Sequence, residues 1–554
     1  MAARHSARDS GDQATGRTRP DPQWLPAQPK GSAVKPARRL PGRDRHAVRH
    51  PGQGGAARLT QPRHVVVVGG GIAGLAAATV LAERGVRVTL LEAHQQLGGR
   101  VRAWPLPEGR TMSRGFHAFF RQYYNLRGLL RRADPSLDRL VPINDYPLTR
   151  PDGVTDSFTS LPRTPPWSII GFVLASPTFR LRDLTRVDVS SALELLRVRF
   201  PGSYAHYDGE SAAGFLDRLR FPAAARDLAL EVFARSFFAD PREFSAGELV
   251  AMFHTYFLGS AEGLLFDVPD DDYDTALWAP LGRHLAGLGV DVRTGVRVEG
   301  LDPPRSVVIV DGAELAADGV VLATDPAPAR RLIAGLGSGS DDNADPSADE
   351  SGTDPVGQWT QRVANTRNAP PFAVLRLWLD RPVSAERPAF VGTSGYGPLD
   401  NISVLDRFEA GAARWAAASG GSVVELHGYA LYDPSDIEQR LLAELHRAWP
   451  ETAAATIVTS EFLIEDDCGL IALAPWAERP GVHTPWPSLT LAGDWVRCDL
   501  PVALMERAAS TGMLAANALL AQWGVAGEDV WSVPMAGLLG AFPTPAKPSA
   551  TKEH

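Results

Sequence analysis

Two short, almost continuous apolar runs mark the first ordered part of the chain. Residues 64–68 read HVVVV and residues 86–92 read VRVTLLE. Both are typical of strands buried on both faces of a parallel sheet. Between them, GIAGLAAATVLAERG (71–85) is rich in helix formers and ends at Gly85, a residue suited to a helix C-terminus. The pattern predicts a strand, a glycine turn, a helix and a second strand.

The apolar pattern then changes and later returns. From about residue 110 to 290 the chain is aromatic-rich with helical spacing, as in SALELLRVRF (191–200). Strand-like runs reappear at 290–301 and 319–324, and LTLAGDW (489–495) precedes a predicted long helix at 501–522. We therefore predict an α/β fold in which a discontinuous, Rossmann-like nucleotide-binding domain is interrupted by a helix-rich, mixed α+β substrate domain.

This reading divides the chain into eight segments. Those with nucleotide-domain character are 63–125, 286–330 and 486–525. The predicted substrate-domain segments are 126–285, which is mainly helical, and 361–485. The remaining segments are a disordered basic tail (1–62), an acidic flexible insertion (331–360) and a loose C-terminal tail (526–554).

Charge and cysteine content narrow the function classes. The chain has 554 residues and a formal net charge of −8, and its first 60 residues hold twelve Lys/Arg against four Asp/Glu. The main body lacks the basic excess that nucleic-acid binding requires, so we expect no nucleic-acid partner. The two cysteines, Cys468 and Cys498, show no metal-ligand spacing, so we expect no metal site and a reducing compartment.

Lysine is confined to the two tails, at Lys30, Lys35, Lys547 and Lys552. A core without lysine excludes a lysine Schiff base and a lysine general base from the main body.

No apolar run reaches the roughly 20 residues that span a bilayer. The most apolar stretch, WSIIGFVLASPTF (167–179), predicts either a buried helix or a shallow anchor in one leaflet. The basic N-terminal tail has no apolar core of a secretory signal; it is either disordered or a transit-like leader. We expect a cytoplasmic protein in peripheral contact with a membrane.

A glycine fingerprint lies between the first strand and the first helix. Gly69, Gly71 and Gly74 form GxGxxG, with Ile72 and Ala73 between the second and third glycines. Such glycines allow a tight turn, close approach of a pyrophosphate and close helix–strand packing, while the helix N-terminus attracts phosphate. Glu92 ends the next strand, where an acid can accept hydrogen bonds from a ribose. The unit predicts dinucleotide binding.

Two further motifs carry a family resemblance. EAHQQLGGR (92–100) and LAGDW (491–495) resemble the fingerprints of the flavin amine oxidase and phytoene desaturase superfamily. The resemblance implies FAD as the cofactor and a flavin-facing N-terminus for the helix that begins near Pro501. It also implies FAD contacts from Gly98, Gly99, Arg100, Val296, Gly493, Asp494 and Met505.

Three longer blocks narrow the resemblance to one carotenoid-processing branch. Residues 113–132, 252–281 and 491–508 resemble the isorenieratene synthases, which are β-carotene desaturase/methyltransferases. The resemblance implies a lipophilic carotenoid substrate, β-ring desaturation with an internal 1,2-methyl shift, and an electron acceptor of unknown identity. Three alternatives stay open: a carotene or phytoene desaturase or isomerase acting on the polyene chain, a flavin amine oxidase, and a flavin-binding protein without turnover.

The stretch RGFHAFFRQYYNL (114–126) holds the main substrate-site candidates. Phe116, Phe119, Phe120 and Tyr123 have the spacing of one helix face, which is typical of core packing. By resemblance, Gly115, Phe116 and His117 lie beside the flavin ring.

We considered two candidate proton acceptors. His117 is either the base or a hydrogen-bonded structural histidine, and Glu506 is either a base or a partner of the helix dipole. We expect Phe119, Tyr123 and Phe257 to line the substrate space. The acidic run Asp267, Asp270, Asp271, Asp272 and Asp274 predicts a solvated loop, with steering of a carbocation or binding of a partner as the alternatives.

Overall fold

A five-stranded parallel sheet is the centre of the nucleotide-binding domain in the computed structural model. In spatial order its strands are Asp291–Thr294, Arg87–Glu92, His64–Val68, Gly319–Leu322 and Leu489–Leu491. The structure describes residues 46–143, 145–157, 162, 164, 165, 167, 168, 171, 193–220, 238–336 and 354–540. Because three separate parts of the chain supply these strands, the discontinuous α/β fold predicted from the sequence is confirmed.

Two helices that are far apart in sequence pack tightly against each other beside this sheet. The first helix, Ile72–Glu83, is buried along almost its whole length. The closing helix, Leu504–Gln522, meets it at Gly512, where a Cβ atom would lie 2.2 Å from the backbone oxygen of Ala73. Only glycine allows this approach, so residue 512 sets the distance between the helices.

A seven-stranded sheet is the centre of the substrate domain. Its order is Ile457–Glu465, Phe372–Leu379, Ser422–Gly428, Asn401–Val404, Phe390–Thr393, Leu148–Thr149 and Thr155–Asp156. Neighbouring strands are antiparallel except for the parallel pair formed by Phe390–Thr393 and Leu148–Thr149. Every residue of Phe372–Leu379 is buried.

Smaller sheets complete the strand inventory. Two have three strands: Phe119–Phe120, Phe266–Pro269 and Leu140–Pro142; and Val298–Asp302, Val307–Val310 and Ala313–Ala316. Three are strand pairs: Ala103–Pro105 with Thr111–Ser113, Arg367–Asn368 with Gly469–Leu470, and Val48–His50 with Val530–Ser532.

The other described α-helices surround these sheets. They are Tyr124–Leu130, Gly202–His206, Ala212–Arg218, Ala246–Phe253, Ala279–Gly287, Pro326–Ala334, Pro355–Ala364, Ala410–Ser419 and Ile437–Ala448. Short 3₁₀ turns occur at Gly99–Val101, Pro107–Gly109, Leu405–Arg407, Pro450–Ala454 and Trp476–Glu478, and π-helical turns at His254–Leu258 and Asp274–Trp278.

The predicted bounds of the disordered N-terminal tail (1–62) and the loose C-terminal tail (526–554) are wrong in part. Val48–His50 and Val530–Ser532 form an antiparallel pair, so order begins before residue 62 and continues beyond residue 526. The partners are separated by almost the whole chain, and local periodicity carries no sign of such a pairing. The predicted acidic insertion (331–360) is also too wide, because the helices Pro326–Ala334 and Pro355–Ala364 extend into it.

The helical stripe predicted for residues 116–123 is wrong. Phe119 and Phe120 form a short strand that pairs with Phe266 and Asp267, and the helix begins only at Tyr124. Gly115 has a φ of +98°, which breaks a helical path, and the strand partner lies far away in sequence. The closing helix likewise begins at Leu504 and not near Pro501.

The apolar stretch 167–179, predicted to be a buried helix or a shallow membrane anchor, lies almost entirely outside the described residues. Among the helices that the structure describes, none is long and apolar enough to cross a bilayer.

We predict that Gly512→Ala destabilises the protein, because its methyl group would press on the backbone of the first helix. Overpacking of this kind costs about 1–3 kcal/mol. The measurement is the free energy of unfolding from chemical denaturation. The matched control is Gly287→Ala, at a helical glycine with open space around the added methyl group. Equal stabilities of the two variants would contradict the packing argument.

Candidate functional site

A cavity of about 720 Å³ is lined by residues of both central sheets. From the parallel sheet it receives residues that follow strand ends, such as Gly69, Ala323 and Gly493. From the seven-stranded sheet it receives Phe372, Phe390 and His427 among others. A nucleotide end and a substrate end therefore belong to one continuous space.

The first glycine turn is shaped by two close backbone approaches. Gly69 has a φ of +109°, and a Cβ atom there would lie 2.5 Å from the backbone oxygen of Ala323. A Cβ atom on Gly74 would lie 1.9 Å from the backbone oxygen of Gly69. Gly71, Ile72 and Ala73 line the cavity at the start of the first helix, while Gly74 serves packing. The turn presents helix N–H groups to the cavity, as a pyrophosphate site requires.

Glu92 is held in place by the backbone at the end of its strand. Its Oε2 accepts a hydrogen bond from Gly70 N at 2.7 Å, and its Oε1 accepts one from His94 N at 2.8 Å. The backbone N–H of Val296 donates to the Glu92 carbonyl at 2.8 Å, and Val296 also lines the cavity. A carboxylate fixed in this way can accept further hydrogen bonds from ribose hydroxyls.

The second glycine turn packs against the first. Gly98 and Gly99 have φ values of +104° and +57°. A Cβ atom on Gly99 would lie 3.0 Å from Gly71 Cα, and one on Gly98 would lie 2.3 Å from Trp278 Nε1. Trp278 in turn donates to the Val101 carbonyl at 2.6 Å. The sequence motif did not indicate this tryptophan, which fixes the turn from the other side.

Arg100 joins two acidic residues that line the same cavity. Its Nη2 donates to Asp494 Oδ1 at 2.5 Å, and its Nε lies 3.0 Å from Asp325 Oδ1. The two carboxylates hold the guanidinium pKa well above its usual range. Burial raises the pKa of Asp325 to about 6, although Arg100 opposes that shift. Arg100 keeps further N–H donors for an anionic group such as a pyrophosphate.

The closing strand and helix complete this end of the cavity. Gly493 has a φ of +151°, and its backbone N–H donates to Thr511 Oγ1 at 2.9 Å. Leu504, Met505 and Ala508 line the cavity at the start of the closing helix. Two helix N-termini, two glycine turns, a ribose-side acid and an arginine therefore form a donor set that fits FAD.

Aromatic side chains form the other end of the cavity. Phe116 stacks on Phe390 with ring centroids 4.2 Å apart and meets Phe266 edge-on at 5.9 Å. The aromatic lining consists of Phe116, Phe120, Tyr123, Tyr146, Phe238, Phe266, Phe372, Phe390 and Tyr429. This wall suits a large apolar ligand with few polar groups.

His117 lines the cavity between its two ends. Its Nδ1 donates to the Gly115 carbonyl at 2.8 Å, and its backbone N–H donates to Tyr273 Oη at 2.9 Å. Burial lowers the pKa of His117 to about 4, so the ring is neutral near neutral pH. Gly115 packs against His427, where a Cβ atom would lie 2.6 Å from Cε1. The loop 115–117 is thus fixed by the substrate domain.

Glu506 was predicted to be either a base or a partner of the helix dipole, and its contacts are those of a structural carboxyl group. Its Oε1 accepts from the Asn125 backbone N–H at 2.8 Å, and its Oε2 accepts from the Leu126 N–H at 2.9 Å. Burial raises the pKa of Glu506 to about 8, while these N–H groups favour its charged form. The carboxyl group is buried at the start of the helix Tyr124–Leu130 and is not part of the cavity lining. It lies in the first turn of its own helix and also accepts hydrogen bonds at the N-terminus of the helix Tyr124–Leu130.

Two predicted lining residues lie elsewhere. Phe119 packs against Tyr273 at 6.3 Å, and Phe257 packs against Phe253 at 5.6 Å; neither belongs to the described cavity lining. Phe119 alternates with Phe120 along a strand, so only one of the two can face the cavity. Tyr123 does line it, with its hydroxyl 2.5 Å from that of Tyr256.

The acidic run is not a solvated loop throughout. Asp267 is 3% exposed and pairs with Arg121 and Arg127 at 3.0 and 2.8 Å. Asp271 is also buried and accepts a hydrogen bond from Gly411 N at 2.9 Å. These carboxylates join the strand Phe266–Pro269 to its surroundings. Within the described residues, no group of three or more His, Cys, Asp or Glu side chains is placed to hold a metal ion.

Sequence reasoning missed a polar network at the aromatic end, formed by Arg376, Glu425, His427 and Tyr429. A signal was present in the sequence. The runs FAVLRLWL (372–379) and SVVELHG (422–428) are apolar strands that each carry charged or titratable residues at the centre. A charge in a fully buried strand requires a partner. Here Arg376 of the first strand pairs with Glu425 of the second.

The fold and the donor set define a flavin-dependent oxidoreductase. The chain belongs to the family of flavin containing amine oxidoreductases, whose model matches residues 72–520. A pyridine nucleotide-disulphide oxidoreductase model also matches residues 30–104. FAD is the cofactor, and the chain is an FAD-dependent oxidoreductase; both predictions from the sequence are confirmed.

Individual relatives agree with this assignment. A carotenoid phi-ring synthase from Streptomyces griseus is 54% identical over 507 residues, covering 90% of this chain and 95% of the relative. A carotenoid phi-ring synthase from Chlorobaculum tepidum is 29% identical, covering 87% and 92%. The predicted resemblance to a carotenoid branch is confirmed by these relatives. Cyclohexylamine oxidase from Brevibacterium oxydans shares the fold, with a TM-score of 0.58, 15% identity and coverage of 83% and 99%.

We predict that Arg100→Gln lowers the FAD content of the purified protein, because Asp325 and Asp494 lose their shared cation at the cofactor site. The measurement is the ratio of flavin to protein absorbance after gel filtration, with thermal stability recorded in parallel. Arg293→Gln is the control, since that arginine pairs with Asp291 on the surface. Equal FAD content in the two variants would show that the arginine is dispensable for the cofactor.

Proposed function

We propose that the protein aromatises β-rings of a carotenoid, with β-carotene as substrate and an isorenieratene-type product. One observation carries the proposal: an aromatic-walled space continues directly from the FAD donor set. The 54% identity to a carotenoid phi-ring synthase along almost the whole chain supports the same substrate class.

The chemistry follows from the ring. One carbon of a β-ring bears two methyl groups and cannot become aromatic until one of them leaves. A shift of that methyl to the neighbouring carbon is natural for a carbocation and requires no external methyl donor. Two new ring double bonds form, so the ring loses two hydrides and two protons. FAD, when bound, supplies the hydride acceptor.

The aromatic wall fits the charge that develops on such a ring. Aromatic faces attract a nearby cation by roughly 0.5–2 kcal/mol each. Phe116, Phe266 and Phe390 form one contiguous cluster against the cavity. These rings exclude water, which would otherwise capture a carbocation, and they hold the apolar substrate in one orientation.

The absence of lysine from the main body of the chain argues against the flavin amine oxidase alternative. Residues 46–540 contain no lysine, so no lysine side chain is available beside the flavin in that part of the chain. The polyene desaturase alternative differs from ring aromatisation only in where hydrogen is removed, and product analysis separates the two.

A carotenoid is stored in membranes, so we propose peripheral membrane contact for a cytoplasmic protein. The predicted anchor at 167–179 is the segment to test. The electron acceptor that restores FAD is a separate partner, and its identity is left open.

The test is expression in a host that accumulates β-carotene, followed by pigment analysis. We expect a product that has lost four hydrogens per reacted ring and has a rearranged methyl pattern, seen by mass spectrometry and NMR. Gly69→Val is the negative control, since its side chain would collide with the Ala323 carbonyl beside the cofactor. Loss of hydrogens without methyl migration would indicate a plain desaturase. Unchanged pigment with FAD bound would reject the proposal.

A further inference from the structure

A buried ion pair lies in the middle of the seven-stranded sheet, next to the aromatic end of the cavity. Arg376 and Glu425 face each other in register on neighbouring strands. Arg376 Nε and Nη2 donate to Glu425 Oε2 at 2.8 and 2.6 Å, and both side chains are almost fully buried. Burying two charges costs more than a well-packed apolar pair, so such a pair is weak evidence for stability alone. Its position suggests a role toward the cavity.

His427 connects this pair to the cavity. It lies two residues beyond Glu425 on the same face of the strand, and its Nε2 is 2.8 Å from Glu425 Oε1. Arg376 and His427 lower the pKa of Glu425 to about 2 despite its burial, so the carboxylate is ionised. An ionised carboxylate only accepts hydrogen bonds, which places a hydrogen on Nε2. The Phe116 N–H also points at Nε2 from 3.1 Å, but it could donate there only if Nε2 carried no hydrogen; the shorter, charge-assisted bond to Glu425 takes precedence over that contact.

The other ring nitrogen of His427 faces Tyr429. Nδ1 lies 2.6 Å from the Tyr429 hydroxyl, and with hydrogen on Nε2 it is the acceptor of that hydroxyl's proton. Asn401 Nδ2 donates to the same hydroxyl at 3.1 Å. Tyr429, His427 and Asn401 all line the cavity. Asn401 uses one lone pair of the tyrosine oxygen, so the other can accept a proton, while the hydroxyl hydrogen is directed at His427 Nδ1.

We propose that Tyr429 accepts a proton from the substrate ring and passes its own proton to His427, with Glu425 as the positioning residue. These three residues are the proton relay. The inference rests on the proposed function, which requires the ring to lose protons. In the step, a C–H bond next to the cationic ring carbon breaks, its electron pair forms a ring double bond to that carbon and cancels the positive charge, and the proton bonds to Tyr429 Oη. The earlier hydroxyl proton bonds to His427 Nδ1. No oxidant is consumed.

The charges around the relay are compatible with an imidazolium. Glu425 faces His427 directly, and Arg376 faces Glu425 from the neighbouring strand. Glu409 lies 3.9 Å from Arg376, and burial raises its pKa to about 7. A carboxyl group with that pKa can release a proton when positive charge appears nearby. Burial lowers the pKa of His117 to about 4, which makes that ring a poor proton acceptor.

The test compares Tyr429→Phe, His427→Gln and the double variant as purified, FAD-loaded enzyme acting on β-carotene in micelles. General acid–base groups typically contribute roughly 10²–10⁴-fold to a rate. We expect each single variant to lower kcat by about a hundredfold or more, with KM and FAD content unchanged. Because the residues act as a unit, the double variant should be no slower than the slower single variant.

A second measurement separates proton transfer from packing. Site-specific 3-fluorotyrosine at position 429 keeps the shape of the side chain but makes its hydroxyl more acidic, so a relay responds in kcat and a structural contact does not. Tyr432→Phe is the matched control. That tyrosine is 58% exposed, and its hydroxyl donates to Glu243 at 2.8 Å, outside the cavity lining. It should keep the wild-type rate.

Several outcomes would overturn the relay. These are full kcat in Tyr429→Phe, multiplicative losses in the double variant, an unchanged rate with 3-fluorotyrosine, or a loss of rate that follows loss of FAD. A large loss in His117→Gln with none in Tyr429→Phe would assign the proton to His117 instead. Failure of the proposed function is seen separately, because the wild-type enzyme would then form no aromatic ring.

Discussion

The ion pairs of Arg100 with Asp325 and Asp494 connect the parts of the chain on which the cofactor site depends. The three residues follow the second, fourth and fifth sequential strands of the parallel sheet. The substrate domain separates these three segments of the nucleotide-binding domain in sequence. The ion pairs of the partly buried Arg100 with Asp325 and Asp494 link them in space. Two carboxylates beside a single cation leave a local negative excess, and the two helix N-termini at the same cavity oppose it.

The substrate end depends on a different constraint. Two neighbouring strands at the middle of its sheet, Phe372–Leu379 and Ser422–Gly428, are fully buried, and their charged or titratable side chains Arg376, Glu425 and His427 bond to one another. Gly115 allows the loop that carries Phe116 and His117 to lie directly on His427. This cavity-lining loop is therefore positioned by the substrate domain.

Local patterns were sufficient for the nucleotide-binding domain. Continuous apolar strands, the glycine turns and Glu92 are all encoded within a few residues, and the structure has them where the sequence predicted them. The aromatic stretch 116–123 failed because its strand partner lies some 145 residues away, and spacing alone cannot distinguish a helix face from a kinked loop. The relay was missed because it depends on cross-strand register, which a single sequence does not specify. Of the two roles predicted for Glu506, the helix-dipole partner fits its contacts, but the sequence did not show that these contacts come from the backbone of a helix near residue 125.

The pairing of Val48–His50 with Val530–Ser532 has a consequence for how the chain reaches its native state. The first strand pairs with a segment about 480 residues later in the sequence, so this pair cannot form until that segment has been synthesised. Closing so long a loop costs conformational entropy, which places the step late in folding. Asn125 stabilises the same region, because its Nδ2 donates to Glu506 Oε1 and to the Trp531 carbonyl, and its Oδ1 accepts from the Trp531 N–H. Two segments near the ends of the described part of the chain are thus joined by a long-range strand pair that forms late in folding.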